Sequence, residues 1–323
     1  VYGPTQAAAQ LEGSKVFAKR FMLEQGIPTG RAAWFTDYSE ALDHLRQAGA
    51  PIVVKADGLA AGKGVTVCTT LQEAEGALHA AMVERVFGDA GDAVLIEECL
   101  SGQEASLLAF CDGRSVVPMV VAQDHKAAYD GDRGPNTGGM GCYAPAPLMS
   151  TALVERVTRQ VLQPAVKGMA EQGTPYVGVL YAGLMLDAPE AGDQSGFQVL
   201  EFNCRFGDPE AQVILPLLET DLVEVLEACI EGQLGGADVR WKEASATCVV
   251  MASGGYPGAY ERGKPISGLD AANALPGVTV YHAGTRRAAG RGAVLTDGGR
   301  VLGVTAVAPT LAESIEQAYA GVA

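Results

Sequence analysis

The spacing of apolar residues predicts a chain that alternates between helices and strands along most of its length. Apolar positions that recur every three or four residues predict amphipathic helices, whereas short apolar runs and strict alternation predict strands. Helices are predicted at 5–25, 37–48, 71–86, 151–172, 210–232 (broken at Pro216) and 311–319. Strands are predicted on both sides of a small-residue loop within 51–67, and at 93–100, 104–111, 176–187, 197–203, 246–251, 278–283, 293–296 and 301–307.

This order of elements predicts a mixed α/β fold built from α+β lobes. The chain has 323 residues, a length that suits about two or three lobes. After Gly235 and Gly236 the pattern changes to short β runs, so we expect a small β-rich lobe at the C-terminal end.

The predicted strand 197–203 carries polar residues on one face. Strict alternation would place Val199, Glu201 and Asn203 on one side, and Leu200 and Phe202 on the other side toward the core. A carboxylate and an amide oxygen at this spacing suit a hard cation such as Mg²⁺, which takes few protein ligands beside substrate phosphates. An ordinary edge strand with a polar face explains the same pattern.

The residues after this strand add a cation and a helix start. Arg205 carries a permanent planar charge that suits a phosphate or a carboxylate. Gly207 permits a tight turn, and Asp208 and Pro209 match the N-cap and the first position of a helix. Metal ligands, an anion-binding side chain and a helix start therefore fall within one short stretch.

A second stretch, between two predicted strands, also suits phosphate. Gly58, Gly62 and Gly64 allow backbone N–H groups to approach phosphate oxygens, and Lys63 adds charge. The stretch is not a Walker A loop, because only three residues separate Gly58 from Gly62 and a glycine follows the lysine. We expect this loop to close over its ligand as a lid, and we expect Lys55 on the preceding strand to bind an anion.

Other charged side chains are not assigned by the pattern alone. Lys15 and Lys19 lie one turn apart on the first helix, and Lys19 is expected on a solvated face. Glu97, Glu98 and Glu104 stand at the ends of adjoining strands, where they could flank a nucleotide or simply be solvated.

A loop without apolar periodicity runs from 123–126 to 134–141. Long glycine-rich loops inside compact domains are usually functional or disordered. His125 is followed by Lys126 and faces a Gly-Gly turn, so we expect it in a ligand site rather than in the core.

Composition narrows the choice of partners. The net charge of −15 and the pI near 4.7 argue against a nucleic-acid binder and against an anionic membrane surface, while a locally basic site for an anionic small molecule stays compatible. Seven cysteines without a CxxC or Cys/His pattern favour free thiols in a reducing cytosol. No apolar run is long enough to span a bilayer, and a chain that begins at Val1 is expected to be a fragment or a processed form.

Four long motifs, in chain order, closely resemble those of the phosphoribosylamine–glycine ligases, a family of the ATP-grasp superfamily also called glycinamide ribonucleotide synthetases. They are DGLAAGKGV at 57–65, QDHK at 123–126, GPNTGGMG at 134–141 and EFNCRFGDPE at 201–210. Shorter matches follow, namely GGYPG at 254–258, HAGT at 282–285 and GGRVL at 298–302. The resemblance runs nearly end to end and implies an ATP-grasp fold.

The resemblance implies an ATP-dependent ligase of purine biosynthesis. Such an enzyme joins glycine to 5-phosphoribosylamine through glycyl phosphate, releases ADP and phosphate, and uses Mg²⁺ or Mn²⁺. Its implied partners are these small molecules, with no nucleic acid and no membrane. Two alternatives stay open, namely an ATP-binding module that is inactive without the family's N-terminal domain, and another ATP-grasp ligase of the purine pathway.

The resemblance also implies a role for each candidate residue. The implied nucleotide contacts are Lys15, Lys55, Gly58, Gly62, Lys63, Gly64, the adenine hinge Glu97, Glu98, Cys99 and Leu100, the ribose-binding Glu104, and Asn136. The implied substrate contacts are Asp124, His125, Gly138 and Gly139, with Arg205, Lys126 and Asp208 as catalytic residues and Glu201 and Asn203 as metal ligands.

The same resemblance implies how the chain is divided. The expected units are 1–50 as linker and first helices, 51–100 as lid subdomain, 101–234 as central subdomain with the metal site, and 235–323 as C-terminal lobe. The family's N-terminal Rossmann-like domain is absent from this chain and is expected in cis in the full protein.

Two positions depart from related patterns. Ala127 stands where the family usually has Arg, a loss for which Arg133 could substitute. Gly183 stands where the wider superfamily often has a third acidic metal ligand, a difference that the ligase family shares.

Overall fold

The computed structural model describes residues 1–58, 64–187, 196–288 and 293–323. The helices in these residues are α1 (Gln10–Gly13), α2 (Lys15–Glu24), α3 (Tyr38–Ala48), α4 (Leu71–Met82), α5 (Thr151–Val157), α6 (Gln163–Glu171), α7 (Ala211–Ile214), α8 (Leu222–Ile230), α9 (Leu269–Asn273) and α10 (Leu311–Val322). The strands are β1 (Ala32–Phe35), β2 (Ile52–Ala56), β3 (Val65–Cys68), β4 (Val94–Glu98), β5 (Gln103–Asp112), β6 (Val116–Pro118), β7 (Gln123–Asp124), β8 (Ala127–Tyr129), β9 (Arg133–Asn136), β10 (Gly141–Ala144), β11 (Val177–Leu186), β12 (Phe197–Asn203), β13 (Ser245–Ala252), β14 (Val278–His282), β15 (Thr285–Arg287), β16 (Val294–Thr296) and β17 (Arg300–Ala308).

The first sheet has the strand order β1-β4-β2-β3, and α3 and α4 pack on it. Helix α3 begins where the Asp37 side chain accepts a hydrogen bond from the Glu40 N–H, and it ends at Gly49 with φ 77°. Thr70 and Glu73 form a capping box at the start of α4. Strand β2 is buried along its whole length, so its lysine is held inside the protein.

The second sheet, with the order β12-β11-β5-β6, has packed side chains on both faces. On β5, Leu107 and Cys111 belong to one core cluster with α2, α5 and α6. Leu108 and Phe110 belong to another cluster with α8 and β13. Alternate positions of one apolar run therefore serve opposite cores, which explains why β5 is apolar on both sides.

Strand β12 contains a bulge that the sequence pattern did not predict. Gly183 on β11 pairs with Glu201, but Leu184 pairs with Val199, so Leu200 is an extra residue in the ladder. The prediction that Leu200 faces the core is wrong, since its side chain is only half-buried.

The bulge also changes which residues share a face. Val199 lies in the same core cluster as Phe202, so the prediction that it shares the face of Glu201 is wrong. Glu201 and Asn203 follow the bulge at regular spacing and do share a face, opposite Gly183 and Tyr181 of β11.

The predicted helix after β12 begins later than expected. Helix α7 starts at Ala211, with Glu210 in the N-cap position, so the assignment of Asp208 as N-cap and Pro209 as first residue is wrong. A 3₁₀ turn at Leu215–Leu217 separates α7 from α8, as the break predicted at Pro216 indicated.

Two other predicted helices are also divided. The segment Thr158–Leu162 between α5 and α6 is π-helical, and Pro164 next to it lacks the N–H that a regular helix would donate. Ser14 separates α1 from α2, and its side chain accepts a hydrogen bond from the Phe17 N–H at the start of α2.

The third sheet has the order β14-β17-β13-β10-β7, and α10 contacts β13 and β17. Strands β7 and β10 precede residue 150, yet β10 pairs directly with β13. This sheet thus joins strands from both sides of the boundary predicted at residue 235, and the domain division stays a prediction. The loop after residue 126 contains the hairpin β8–β9, where the sequence showed no periodicity. Within the described residues no helix is long and apolar enough to cross a membrane.

Candidate active site

The polar face of the second sheet carries the predicted metal ligands. Glu201 lies in one row with Gly183 and Ser106, and Asn203 lies in a neighbouring row with Tyr181. Glu201 is exposed and Asn203 is half-buried. A Cβ at Gly183 would stand 3.5 Å from the Cγ of Glu201, so the absent side chain leaves the carboxylate room to move.

This donor set fits a hard divalent cation by its chemistry, since a carboxylate and an amide oxygen are both oxygen ligands. No group of three or more His, Cys, Asp or Glu side chains in the described parts of the chain could hold a metal. A cation at Glu201 and Asn203 would therefore depend on phosphate oxygens to complete its coordination, as Mg²⁺ commonly does.

Arg205 is tied to the end of this strand. Its Nη2 donates to Asn203 Oδ1 at 3.3 Å, and its Nε donates to Glu12 Oε1 at 3.0 Å. The other oxygen of Glu12 accepts the Cys204 N–H at 2.7 Å. The structure thus brings the predicted metal ligand and the predicted catalytic arginine together, and adds Glu12, which the sequence did not single out.

A buried ion cluster lies between α2 and the first sheet. One oxygen of Glu97 pairs with Lys19 Nζ, and the other oxygen pairs with Lys55 Nζ. The three side chains are between 2% and 9% exposed. Lys19 also donates to Thr29 Oγ1 at 2.6 Å and to the Gly30 carbonyl at 3.1 Å.

The prediction that Lys19 lies on a solvated face is wrong. Helix α2 packs against β4, which brings the Glu97 carboxylate to the lysine. Burial lowers the pKa of Lys19 below its usual value, and the charge of Glu97 opposes that effect.

Of the two lysines predicted for nucleotide phosphates, Lys55 belongs to this cluster and Lys15 makes a separate contact. Lys55 Nζ also donates to the carbonyl of the bulge residue Leu200 at 3.3 Å. Lys15 Nζ donates to the Gly58 carbonyl at 2.7 Å, and burial lowers the pKa of Lys15. The first sheet and β12 therefore meet at a set of ordered cations.

The glycine loop is described only at its two ends. Gly58 has φ +92°, a left-handed conformation that favours glycine. The Gly64 carbonyl accepts the Ala56 N–H at 2.8 Å. Gly62 and Lys63 lie outside the described residues, so closure of the loop over a ligand stays a prediction.

The predicted adenine hinge borders a cavity of about 150 Å³ lined by Cys99, Leu100, Ser101, Met185, Asp187 and Gln198. The Glu98 carboxylate instead accepts hydrogen bonds from the backbone N–H of Arg31 at 2.7 Å and from the Arg31 Nε at 2.9 Å. These bonds lower the pKa of Glu98. The carboxylates of Glu97 and Glu98 are thus held by cations, whereas Cys99 and Leu100 face the cavity.

The predicted substrate side is built around Lys126. Its Nζ donates to Glu104 Oε2 at 2.5 Å, and the His125 ring lies 5.6 Å from that of Tyr143. Burial raises the pKa of Asp124 to about 6, although the charge of Lys126 opposes the shift. Burial also acts to lower the pKa of Lys126, but the carboxylates of Asp124 and Glu104 raise it on balance above its usual value.

The remaining predicted substrate residues converge on Arg300, on β17. Its Nη1 donates to the Gly138 carbonyl at 2.7 Å and to the Asp208 carbonyl at 2.8 Å. Its Nη2 pairs with Asp208 Oδ2 at 3.2 Å, and its Nη1 lies 3.4 Å from the Gly139 carbonyl. Asp208 is therefore an ion-pair partner rather than a helix cap.

Comparison with known families identifies the fold. The family model described as phosphoribosylglycinamide synthetase, ATP-grasp (A) domain, matches residues 13–211, and the C-domain model of the same family matches residues 246–323. The chain belongs to the phosphoribosylglycinamide synthetase family. The predicted mixed α/β ATP-grasp fold and the resemblance to this family are confirmed.

Individual relatives of the synthetase family agree. A phosphoribosylamine–glycine ligase of Nostoc sp. is 52% identical over the whole chain, which covers 74% of that protein. The Escherichia coli O157:H7 enzyme of the same name is 50% identical over 99% of the chain and 73% of that protein. The crystal structure of the Thermotoga maritima phosphoribosylamine–glycine ligase superimposes with a TM-score of 0.88 at 34% identity, and the chain covers 78% of it.

A more distant structure shares the ATP-grasp fold of the synthetase family. It is the biotin carboxylase domain of a Hydrogenobacter thermophilus carboxylase, solved with MgADP, with a TM-score of 0.75 and 17% identity.

Ala127, at the position where an arginine is expected from the family resemblance, lies in the hairpin β8–β9. Ala127 pairs with the exposed Asn136, a predicted nucleotide contact. The Arg133 side chain donates to the Asp130 carbonyl at 3.1 Å within the same hairpin. Substitution of Arg133 for the family's usual arginine stays a prediction.

Sequence reasoning did not assign Glu12 or Arg300 to the candidate site, and it placed Lys19 on a solvated face. The sequence did contain an indication for Arg300, because this arginine follows two glycines in the GGRVL motif. The position of Lys19 one turn after Lys15 could have suggested that it belongs to the site. Its burial could not be predicted, because its carboxylate partner Glu97 is distant in sequence.

Proposed function

We propose that this chain performs the reaction of its family, the ATP-dependent joining of glycine to 5-phosphoribosylamine to give glycinamide ribonucleotide, ADP and phosphate. The observation that carries the proposal is that one strand, β12, connects the parts of the site. Its Gln198 lines the cavity at Cys99 and Leu100, its Leu200 carbonyl accepts a hydrogen bond from Lys55, and it carries the oxygen ligands Glu201 and Asn203.

The nucleotide would bind between the first and second sheets. Lys15 and Lys55 would hold its phosphates, since both ammonium groups are fixed at the junction of these sheets. Phosphoryl transfer depends mainly on positioning and charge neutralisation, so preset cations are the property it needs. Adenine would enter the cavity at Cys99 and Leu100, with Glu104 near the ribose.

Glu201 and Asn203 would hold Mg²⁺ or Mn²⁺, which supplies neutralisation of phosphate charge when bound. Arg205 donates to Asn203, so its guanidinium stands beside the same oxygens and would neutralise the phosphate of glycyl phosphate. Arg205 therefore links the metal ligands to the carboxylate that is to be activated.

Glycine and phosphoribosylamine would bind on the Lys126 side of the site. Gly138, Gly139 and Asp208 would bind glycine, while Asp124, His125 and Lys126 would bind phosphoribosylamine. Asp124 and Lys126 influence each other's pKa values, which supports one charged subsite on that side.

The chain spans about three-quarters of its curated relatives, for example 74% of the Nostoc protein. We expect the phosphoribosylamine subsite to be completed by the family's N-terminal domain, encoded in cis. All seven cysteines are free thiols, which supports action in the reducing cytosol.

The test is a coupled ADP-release assay on the full-length protein that contains this chain, with glycine and freshly made phosphoribosylamine. ADP release is expected only when both are present. Turnover with a different amine, and none with phosphoribosylamine, would overturn the substrate assignment. ATP binding without any turnover would favour the inactive-module alternative, which identity over the whole chain otherwise disfavours.

A further inference from the structure

Two motifs of the C-terminal region have no part in the proposed chemistry, yet both reach the site. Tyr256 of the GGYPG stretch accepts the Gly138 N–H on its hydroxyl at 3.2 Å. Arg300 of the GGRVL stretch donates to the Gly138 carbonyl at 2.7 Å. The two side chains therefore hold both backbone polar groups of one residue in the glycine-rich loop.

The packing around these contacts leaves no space for side chains. A Cβ at Gly138 would lie 2.9 Å from Arg300 Cζ, and a Cβ at Gly139 would lie 2.5 Å from Pro209 Cδ. Gly139 also has φ +107°, which L side chains rarely adopt. A Cβ at Gly299 would overlap the Tyr256 ring. The glycines of two separate motifs thus make room for one contact.

This contact continues into the predicted substrate residues through backbone hydrogen bonds. The Thr137 N–H donates to the Lys126 carbonyl, and the Met140 N–H donates to the His125 carbonyl, both at 2.7 Å. Thr137 and Met140 flank the two glycines, so a shift of the glycines would move His125 and Lys126.

Arg300 also fixes Asp208, through its carboxylate and its backbone carbonyl. The described side-chain contacts of Arg300 are with Gly138, Gly139 and Asp208. Lys15 and Lys55 bond instead to Gly58, Glu97 and Leu200. Arg300 and the two lysines therefore position different parts of the site.

We propose that Arg300, together with Tyr256, is a positioning residue for the glycine and phosphoribosylamine half of the site. It sets the loop at Gly138 and Gly139, together with Asp208, in one geometry, and its described contacts do not reach the phosphate-side lysines Lys15 and Lys55. The inference rests on the proposed function and deepens it, because it assigns the C-terminal region a role in binding the acceptor substrates.

The guanidinium suits this role because its planar group can donate to several acceptors in fixed directions at once. A lysine would keep the charge beside Asp208 but could not reproduce the geometry toward Gly138. Strand β17 pairs along its length with β13 and β14, so the sheet does not depend on this side chain.

The experiment is Arg300→Lys in the full-length protein, with kcat and KM measured for glycine, phosphoribosylamine and ATP. We expect kcat/KM for glycine to fall about 100-fold, as small misplacements near a reacting centre can cause. The KM for ATP and the Kd for a non-hydrolysable MgATP analogue should stay within about twofold. Arg240→Lys is the matched control, because Arg240 pairs with Asp238 at an exposed site, and it should leave every constant unchanged.

A second variant keeps the inference testable if Arg300→Lys folds poorly. Tyr256→Phe removes only the acceptor for the Gly138 N–H and should raise the glycine KM several-fold without changing MgATP binding. In the double variant the two losses should be less than multiplicative, because both act on one residue.

Several outcomes would overturn the inference. These are an unchanged kcat/KM for glycine in Arg300→Lys, an equal loss of kcat/KM for ATP together with weaker binding of the MgATP analogue, or fully multiplicative losses in the double variant. Failure of the proposed function looks different, since the wild-type protein itself would then not turn over glycine and phosphoribosylamine.

Discussion

The nucleotide half and the acceptor half of this site hold their charges in different ways. Lys19, Glu97 and Lys55 on the nucleotide side are between 2% and 9% exposed. On the acceptor side Lys126 is 36% exposed and its ion-pair partner Glu104, at the border with the nucleotide side, is 41% exposed, while Arg300 and Asp208 are 22% and 52% exposed. Water reaches one set of ion pairs and is excluded from the other.

The difference shows what each half is prepared for. A buried carboxylate between two lysines keeps both cations fixed before any phosphate arrives, because separating the charges in a dry interior is costly. Half-exposed pairs can exchange partners with water and with substrate at little cost. We expect the nucleotide side to be a rigid anion receptor, and the acceptor side to be adjusted by its substrates.

The largest expected effect comes from breaking the buried cluster. Glu97→Gln leaves two buried lysines without their counter-charge, and it should lower the free energy of unfolding by about 3–5 kcal/mol. Urea denaturation monitored by circular dichroism measures the loss. The next residue provides the control, because Glu98 pairs with the exposed Arg31, and Glu98→Gln should cost at most about 1 kcal/mol. Equal losses in the two variants would show that the buried cluster stabilises the fold no more than the exposed ion pair does.

A second prediction concerns the metal ligands, which separate function from stability. Glu201→Gln removes the charged ligand on the exposed face of β12. The apparent dissociation constant for Mg²⁺ should therefore rise at least about tenfold, which corresponds to roughly 1.4 kcal/mol of lost binding free energy. The free energy of unfolding should change by less than about 0.5 kcal/mol, since the side chain is exposed. Mg²⁺ titrations of the ADP-release rate measure the dissociation constant, and urea denaturation measures the free energy of unfolding.

The comparison partner for that variant is the bulge residue. Leu200→Gln should be tolerated, because the Leu200 side chain is only half-buried. A strong loss of stability in Leu200→Gln, or an unchanged metal constant in Glu201→Gln, would contradict the strand geometry described for β12.

The smallest expected effect is a pH dependence on the acceptor side. Burial raises the pKa of Asp124 from 3.8 to about 6, so the folded protein holds this proton more tightly than the unfolded chain does. Stability from this group is therefore present at low pH and is lost as the pH rises from 3.8 toward 6. Thermal melting of wild type and Asp124→Asn across this range measures it. If the difference between the two proteins did not change with pH in that direction, desolvation of the half-buried Asp124 carboxyl would be contradicted.

The parts of the site that the sequence predicted are those set by local spacing. Glu201 and Asn203 share a face because they stand two positions apart on one strand, and Arg205 is close enough to reach Asn203. The Asp37 and Thr70 caps are local as well, so the helices that follow them begin where the sequence indicated.

The parts that the sequence did not predict depend on residues far apart in the chain. Lys19 is buried because Glu97 on another element neutralises it, and no local pattern around Lys19 contains that information. Arg300 reaches the site through a sheet that pairs β13 with β10. The bulge escaped prediction because the adjacent apolar residues Val199 and Leu200 do not by themselves show which residue is extra, and only the pairing with β11 identifies it.

The bulge at Leu200 has a consequence for how the gene could change. A single inserted codon in a paired strand is expected to turn the following side chains to the opposite face. Here the ladder absorbs the extra residue, and Val199 and Phe202 still face the same core. Deletion of the Leu200 codon would leave the pairs of Val199 and Glu201 with β11 in register, and would remove the carbonyl that Lys55 contacts. Loss of one codon would thus keep the strand paired and remove only its contact with Lys55.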